Sequence, residues 1–219
     1  MDHHALLARS EPFASLEESD VAAIAAGSTT IEVARHAMVF AEGDAADTMY
    51  LVLSGRVAIA NRSDDGRESV VALMETGDLF GEMGLFDGEG RSAGARAVDR
   101  ASLLAVPYGP VRVAMERHPA VLWDALALLA RRLRSTDGAL ADNVFLDVLG
   151  RTAKRLLELS GGADEFVLPI TQEELAGMVG ASRERVNKAI ATFVRLGWVD
   201  QRGRRYAILR REQLHQRAR

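Results

Sequence analysis

The 219-residue sequence predicts an α+β protein with an all-β N-terminal body, a long helix and a C-terminal helix-turn-helix followed by a β-hairpin wing. Three observations predict this architecture. Short β-rich runs crowd residues 31–106, leucines recur at heptad spacing over 122–143, and two amphipathic patterns joined by a glycine occupy 171–194. Strands gathered in one part of the chain and helices in another are typical of an α+β protein.

The N-terminal body is predicted from strand and turn signals. Residues 1–30 have a helical pattern, with Leu16, Val21 and Ile24 as packing positions. After them, short runs rich in β-branched and apolar residues alternate with turns rich in Gly, Asp and Glu, and Asp65-Gly66 is a strong hairpin signal. Strands this short and this closely spaced indicate an antiparallel barrel or sandwich. The predicted strands are Ile31–Val33, Met38–Phe40, Tyr50–Ser54, Val57–Asn61, Ser69–Met74, Ala93–Ala97 and Ser102–Val106.

A single long helix is predicted over residues 119–146. Its apolar seam steps alternately by four and three residues, which is the heptad spacing of a two-stranded coiled coil. The seam residues are Leu122, Leu126, Leu129, Leu133, Thr136, Leu140 and Asn143. The pattern predicts a homodimer joined along this helix, and the alternative is that the seam packs on the chain's own barrel.

The C-terminal third begins with a predicted hinge at Leu149-Gly150 and a helix over Arg151–Leu159. Ala153, Leu156 and Leu157 are expected to face inward on that helix. Gly197–Asp200 and Tyr206–Leu209, on either side of Gly203, are interpreted as the hairpin wing. The basic tail from Arg210 is expected to fray.

The segment from Thr171 to Val194 predicts two short helices joined by a tight turn. Thr171 and Glu174 have the spacing of a capping box, Gly180 permits the turn, and Ser182 is a good N-cap for the second helix. Val186, Ile190, Phe193 and Val194 form the apolar stripe of the second helix, while Arg183, Glu184, Asn187 and Lys188 lie on its other faces.

This pattern favours DNA recognition. The N-terminal part of the second helix of a helix-turn-helix enters the DNA major groove. Arginine can pair there with guanine, and glutamate can accept from the cytosine amino group. The alternative is a charged helix face that is merely solvated.

A second motif suggests an anion pocket. It consists of Phe80–Phe86 followed by Arg91-Ser92-Ala93. Gly81 permits close approach of the backbone, Arg91 can hold a phosphate bidentately and Ser92 can donate one hydrogen bond. Glu82 would repel a phosphate but could accept from sugar hydroxyls, so the set suits a phosphorylated ribose. The alternative is a surface ion pair between Glu82 and Arg91.

Composition excludes several classes of site. Cysteine is absent, which removes disulfides, thiolate zinc sites, iron–sulfur clusters held by cysteine and cysteine nucleophiles. No apolar run reaches the length of a membrane span, and the N-terminus lacks the features of a secretory signal, so a cytoplasmic protein is expected. Residues 151–219 carry 14 Lys+Arg and 8 Asp+Glu, against 13 and 23 in residues 1–150. A basic C-terminal third suggests that this part meets a polyanion.

Taken together, the chain from about residue 10 to 209 resembles the CRP/FNR family of bacterial transcription regulators, and most closely its cyclic-AMP receptors. The resemblance is carried by FGEMGLF with RSA, the long helix, FLDVLGR, and TQEELAGMVGASRERVNKA. It implies a jelly-roll-like cyclic-nucleotide-binding β-roll over 1–118, a dimerisation helix and hinge over 119–149, and a winged helix-turn-helix domain over 150–219.

The resemblance also implies residue roles. Gly81 and Glu82 would lie at the ribose, Arg91 and Ser92 at the cyclic phosphate, and Thr136 at the adenine. Asp137 occupies the position from which the partner subunit contacts the base, where close relatives have Ser or Asn. The full candidate set for the ligand is Gly81, Glu82, Met83, Arg91, Ser92, Thr136 and Asp137.

For DNA, the resemblance aligns Arg183, Glu184 and Lys188 with base-contacting positions and Thr171 and Ser182 with phosphate-contacting ones; Asn187 completes the candidate set. Lys188 stands where the best-known relatives have Arg, so a bidentate guanine contact becomes a point-charge contact. The implied function is cAMP-controlled, sequence-specific binding of a homodimer to palindromic double-stranded DNA, with RNA polymerase as a further partner. Neither a metal, a catalytic cofactor nor a membrane is expected.

Three other functions are compatible with some of these features. Asp137 adds a negative charge near an anionic ligand, which favours a regulator that is independent of ligand or senses another effector. A haem regulator would need histidine ligands, and His36, His118 and His215 are scattered. An enzyme acting on a nucleotide would need a metal cluster or a nucleophile with its base, and the pocket motif contains neither.

Overall fold

The computed structural model describes residues 2–11, 13–63 and 68–219. The chain divides into two compact units, residues 1–134 and 135–219. The predicted Asp65-Gly66 turn lies outside the described residues. Within them, no helix combines the length and the apolar character needed to cross a membrane.

The first unit begins with helices and continues as two antiparallel sheets. The helices α1 (His3–Leu7) and α2 (Glu18–Gly27) precede the strands, α3 (Met83–Asp87) lies among them, and α4 (Tyr108–Arg117) follows them. The strands are β1 (Thr29–Val33), β2 (Met38–Phe40), β3 (Thr48–Ser54), β4 (Val57–Arg62), β5 (Glu68–Met74), β6 (Leu79–Phe80), β7 (Gly94–Ala97) and β8 (Ala101–Pro107). All seven predicted strands are confirmed, and the two-residue β6 is an addition.

The two sheets face each other across an apolar core. Their strand orders are β1-β8-β3-β6 and β2-β7-β4-β5. Val52, Val57, Phe80 and Leu103 are almost fully buried between the sheets, as the inward faces of a sandwich or barrel require. A second cluster, which includes Ile24 and Leu104, packs the flanking helices against one sheet.

The long helix α5 (Leu122–Phe145) follows a 3-10 turn at Pro119–Val121. Ala125 is buried and Leu128 packs on the core of the first unit. The heptad seam is on another face, because Leu126, Leu133 and Leu140 are 53%, 62% and 64% exposed. The alternative in which the seam packs on the chain's own barrel is therefore wrong.

The second unit contains the rest of α5 and a winged helical domain. Its helices are α6 (Val148–Leu159), α7 (Gln172–Val179), α8 (Arg183–Arg195) and α9 (Arg211–Arg217). Its strands β9 (Glu165–Val167), β10 (Val199–Arg202) and β11 (Arg205–Ile208) form a sheet of order β10-β11-β9. The predicted wing is confirmed, and β9 extends its sheet by pairing with β11.

Two expectations for this unit are wrong. The helix break lies at Leu146-Asp147 rather than Leu149-Gly150, because the Asp147 side chain caps α6 by accepting from the Gly150 amide at 2.8 Å. The tail does not fray: it forms α9, whose Leu214 is completely buried. Arg211 donates to the Ala163 carbonyl at 2.6 Å and so holds the start of α9 in place.

Candidate functional site

The pocket motif is built around the left-handed backbone of Gly81, whose φ is 75°. A Cβ atom at this position would come within 2.8 Å of the Arg91 guanidinium and 3.3 Å of the Phe40 ring. Both the backbone angle and the crowding therefore require glycine. The helix that follows, α3, begins at Met83.

Arg91 is 7% exposed and occupies the centre of this site. Its Nη1 donates to the Gly81 carbonyl at 2.7 Å, and its Nη2 donates to the Thr48 carbonyl at 2.7 Å. Its guanidinium lies 4.1 Å from the centroid of the Phe40 ring, which is a cation–π distance. The arginine is thus held in place by backbone and aromatic contacts, and no carboxylate of the described residues forms an ion pair with it.

Glu82 is 2% exposed and forms an ion pair with a residue that the sequence analysis did not predict for this site. Arg132 of α5 pairs with Glu82 Oε1 and also donates to the Leu79 carbonyl. The expected alternative, a surface ion pair between Glu82 and Arg91, is wrong on both counts: neither residue is on the surface, and the arginine is a different one. Arg132 lies 50 positions from Glu82, so no local spacing could have linked them.

Two polar atoms of this site have no hydrogen-bond partner within the described chain. They are Glu82 Oε2, an acceptor, and Arg91 Nε, a donor. Buried polar groups in native proteins are nearly always bonded, so unpaired ones call for an explanation. A ligand that offers a hydroxyl donor beside an anionic acceptor would satisfy both.

The rim of the site is formed by Met83 and Ser92, both exposed to solvent. The Ser92 hydroxyl donates to the Met83 sulfur at 3.3 Å. Ser92 directly follows Arg91, so its hydroxyl and the guanidinium belong to the same short segment.

Two tyrosines flank Arg91. Burial raises the pKa of Tyr50 and of Tyr108, and the positive charge of Arg91 opposes the rise in both. The Tyr108 hydroxyl donates to the Gly81 carbonyl, the same oxygen that Arg91 contacts. Neutral tyrosines supply no negative charge to Arg91.

Thr136 and Asp137 lie on exposed positions of α5 in the second unit. Their contribution to a ligand site that also contains Gly81 and Arg91 stays a prediction.

The helix-turn-helix is formed as its capping signals predict. The Glu174 amide donates to the Thr171 hydroxyl oxygen at 3.2 Å, and the Thr171 amide donates to Glu174 Oε2 at 2.8 Å, so the capping box is complete. Gly180 ends α7 with a φ of 66°, and Ser182 caps α8 by accepting from the Arg185 amide. Local chemistry therefore sets both helix starts.

The two faces of α8 have opposite character. Val186, Ile190 and Phe193 are buried, whereas Val194 is 40% exposed and was wrongly expected inside. The predicted DNA-contacting residues Arg183, Glu184, Asn187 and Lys188 are all exposed. Arg183 and Lys188 form no ion pair with the carboxylates of the described residues, so both cations can meet a polyanion.

The start of α6 is tied to several elements of the second unit. Arg151 donates to the Leu146 carbonyl and to the Val179 carbonyl, both at 2.7 Å, and so joins the helix break to the end of α7. Arg217 of α9 pairs with Asp147. The amide of Gly150, more than any other group, lowers the pKa of Asp147, and Arg217 lowers it further.

The histidines of the described residues are not gathered into a cluster that could hold a metal ion. No group of three or more His, Cys, Asp or Glu side chains there is arranged to hold a metal ion. His118 is instead bonded to the buried carboxylate of Asp20 at 2.9 Å.

Comparison with protein families gives two matches. Residues 30–118 match the cyclic nucleotide-binding domain, and residues 150–217 match the Crp-like helix-turn-helix domain. The first match contains the Gly81–Ser92 site, and the second contains α7, α8 and the wing.

Individual proteins match over most of the chain. The CRP-like cAMP-activated global transcriptional regulator of Mycobacterium tuberculosis is 39% identical over 221 residues, covering 98% of this chain and 99% of that protein. The cAMP-activated global transcriptional regulator CRP of Escherichia coli O157:H7 is 34% identical over 156 residues, 68% of this chain and 74% of that protein. Among solved structures, the c-di-GMP responsive global regulator CLP of Xanthomonas campestris has a TM-score of 0.76 at 27% identity and covers 88% of this chain and 99% of its own.

Proposed function

Because this chain belongs to the CRP/FNR family of bacterial transcription regulators, we propose that it is a cAMP-responsive regulator that binds palindromic DNA as a homodimer. Membership makes it a DNA-binding transcription regulator with a cyclic-nucleotide-binding domain, and not an enzyme. The effector, the dimer and the form of the DNA site are the proposal.

The observation that supports a cyclic nucleotide most directly is the pair of unpartnered buried atoms. Glu82 Oε2 can accept from a ribose hydroxyl, and Arg91 Nε can donate to a phosphate oxygen. A 3′,5′-cyclic nucleotide carries a free 2′-hydroxyl next to an anionic phosphate, so one ligand satisfies both atoms. The paired Oε1 of Glu82 stays with Arg132 while this happens, so ligand binding need not leave either charge unpaired.

The choice of cAMP rests on the relatives and on Thr136. The names of the M. tuberculosis and E. coli relatives describe them as cAMP-activated. Thr136 can accept from the adenine amino group and donate to a ring nitrogen. RNA polymerase is proposed as a further partner because the chain belongs to this family of transcription regulators.

Asp137 supports a second candidate, a regulator with another effector or with none. An ionised aspartate accepts hydrogen bonds but cannot donate, and it adds negative charge close to an anionic ligand. The relative from X. campestris is named for its response to c-di-GMP, so the fold is not restricted to one nucleotide.

Exposed surfaces support the proposed dimer and the proposed DNA contacts. Leu126, Leu133 and Leu140 expose an apolar stripe along α5 that a second copy would cover. On α8, Arg183 and Glu184 lie in the first turn, where the second helix of a helix-turn-helix meets base edges. Thr171 and Ser182 lie at the helix starts and would contact phosphates.

The test of the effector is calorimetry of the full chain with cAMP, cGMP and c-di-GMP, followed by binding of a palindromic duplex with and without each ligand. We expect cAMP to bind and to raise DNA affinity by roughly 5- to 150-fold, the range of ordinary allosteric coupling. Equal DNA affinity with and without saturating cAMP would favour the second candidate. Asp137→Ser should tighten cAMP binding if the carboxylate repels the phosphate, and weaken it if the carboxylate accepts from the adenine.

The test of base reading compares Arg183→Ala with Arg100→Ala, an exposed arginine of the first unit, on palindromic and scrambled duplexes. Arg183→Ala should lose about 1–3 kcal/mol of discrimination at one guanine. Arg100→Ala should behave as the unaltered chain. An equal loss of affinity for both duplexes would indicate that Arg183 contacts phosphates rather than a base.

A further inference from the structure

The thioether of Met83 lies at the rim of the pocket and accepts a hydrogen bond from Ser92, a proposed ligand-binding residue. Met83 is 46% exposed, and its sulfur accepts a hydrogen bond from the Ser92 hydroxyl at 3.3 Å. Ser92 follows Arg91, and its hydroxyl is the one proposed to donate to the cyclic phosphate. The sulfur and the phosphate therefore compete for the same hydrogen-bond donor.

A thioether is a weak competitor for this donor, because sulfur is a poor acceptor. A phosphate oxygen accepts far more strongly and takes the hydroxyl when the ligand arrives. Oxidation of the sulfur would reduce the advantage of the phosphate over the thioether as an acceptor, because a sulfoxide carries a polar oxygen in place of a sulfur lone pair.

We propose that Met83 is a modification site at which oxidation to the sulfoxide weakens binding of the anionic ligand. The inference rests on the proposed function, because it assumes that the phosphate binds beside Ser92. The oxidant is hydrogen peroxide: a sulfur lone pair attacks one peroxide oxygen, the O–O bond breaks, and the second oxygen leaves as hydroxide. The hydroxide takes the proton from the oxygen now bound to sulfur, which gives the sulfoxide and water. Sulfur is oxidised by two electrons and hydrogen peroxide is reduced by two.

Two effects then oppose the ligand. The sulfoxide oxygen accepts from the Ser92 hydroxyl more strongly than the thioether did, so the hydroxyl is no longer free for phosphate. The oxygen also carries partial negative charge where the phosphate would approach. Loss of one hydrogen bond to a charged group corresponds to roughly tenfold in affinity.

The chain provides a matched control for this reaction. Met38 on β2 is 53% exposed, close to the value for Met83, but no hydroxyl among the described residues donates to its sulfur. Met49 and Met115 are 1% and 5% exposed and are shielded from oxidant in the folded protein.

The experiment treats the full chain with hydrogen peroxide, measures oxidation of each methionine by peptide mass spectrometry, and measures cAMP affinity by calorimetry before and after. We expect roughly tenfold weaker binding after oxidation, restored by methionine sulfoxide reductase. For each variant, the dissociation constant for cAMP after oxidation is divided by the value before oxidation. This ratio should be about one in Met83→Leu and remain roughly tenfold in Met38→Leu. It should be smaller than tenfold in Ser92→Ala, because that variant has no Ser92 hydroxyl for the sulfoxide to engage.

Two results would overturn the proposal. One is complete oxidation of Met83 with cAMP affinity unchanged; the other is an equal loss of affinity in Met83→Leu, which would assign the effect to another residue. Failure of the underlying function is seen separately, before any peroxide is added, as absence of cAMP binding by the unoxidised chain, and the inference fails with it. Bound cAMP should also slow oxidation of Met83 but not of Met38, and equal rates at both would count against the site.

Discussion

Replacement of Arg91 by alanine tests how the pocket is held together before any ligand arrives. The guanidinium donates to the carbonyls of Gly81 and Thr48, both at 2.7 Å, and stacks on Phe40. Removing it leaves two carbonyl oxygens without these donors. Arg91→Ala should therefore destabilise the first unit even in the absence of nucleotide, which a purely ligand-binding arginine would not do.

The magnitude follows from opposing contributions. Two hydrogen bonds from a charged group are worth about 3–6 kcal/mol together, and the stacking on Phe40 adds about 0.5–2 kcal/mol. Burying the guanidinium costs several kcal/mol, which the alanine variant recovers. The net loss expected is about 2–4 kcal/mol, or a fall of roughly 5–15 °C in the melting temperature.

The assay is thermal unfolding of the apo protein, followed by unfolding with cAMP. Arg100→Ala is the control, because its side chain is 79% exposed and its pair with Glu32 is on the surface; it should change stability by less than about 0.5 kcal/mol. Ligand at a hundred times its dissociation constant should stabilise the unaltered chain by about 2.7 kcal/mol and Arg91→Ala hardly at all. An Arg91→Ala protein that melts together with the unaltered chain would refute the reasoning, whatever its nucleotide affinity.

Three further predictions concern titration and helix stability. The pKa values of Tyr50, Tyr108 and Tyr206 are all raised, mainly by burial, so their stabilising contribution is complete below about pH 10 and is lost as the pH rises through the raised folded-state values. Tyrosinate absorbance should therefore appear at a higher pH in the folded protein than in the urea-unfolded chain, and equal midpoints would count against this. The pKa of Asp147 is lowered, so its contribution to stability is present above about pH 4 and is lost as the pH falls through the lowered folded-state value. Asp147→Ala should therefore lower the free energy of unfolding in urea by about 1 kcal/mol at neutral pH but by little in acid. An equal loss at both pH values would show that the ionised carboxylate is not the source of the stabilisation. Gly138 is in the interior of α5 with no atom within 4 Å of an added Cβ, so Gly138→Ala should stabilise the chain by about 1 kcal/mol in thermal unfolding, whereas a loss would indicate that a partner helix approaches there.

Local signals in the sequence predicted most of the fold correctly. The capping box at Thr171 and the N-cap at Ser182 act within three residues, so their chemistry is visible in the sequence and the structure reproduces it. The strands were found because apolar runs and glycine turns alternate at short intervals. The two-residue β6 was missed because it makes only two cross-strand pairs with β3 and has no periodicity of its own.

Non-local contacts account for what the sequence did not reveal. The Glu82 partner was missed because Arg132 comes from a helix 50 positions away. The tail was expected to fray because it is basic and short, yet Leu214 is buried and Arg211 and Arg217 are bonded at its two ends. The helix break was misplaced because Gly150 was interpreted as a flexible residue. In the structure that glycine admits the Arg217 carbonyl, which lies 3.0 Å from where its Cβ would be.

The two sides of the nucleotide pocket differ in how their charges are balanced before the ligand arrives. Glu82 has one oxygen paired with Arg132 and the other unpaired, so a hydroxyl can bind there without breaking an existing bond. Arg91 donates from both terminal nitrogens to neutral carbonyls and has Nε unpaired, so a phosphate oxygen can bind at Nε while both carbonyl bonds remain. The sugar hydroxyl therefore meets a carboxylate whose charge is already paired, whereas the phosphate meets a cation that is bonded to neutral groups. The anionic part of the ligand is therefore expected to gain the stronger electrostatic interaction.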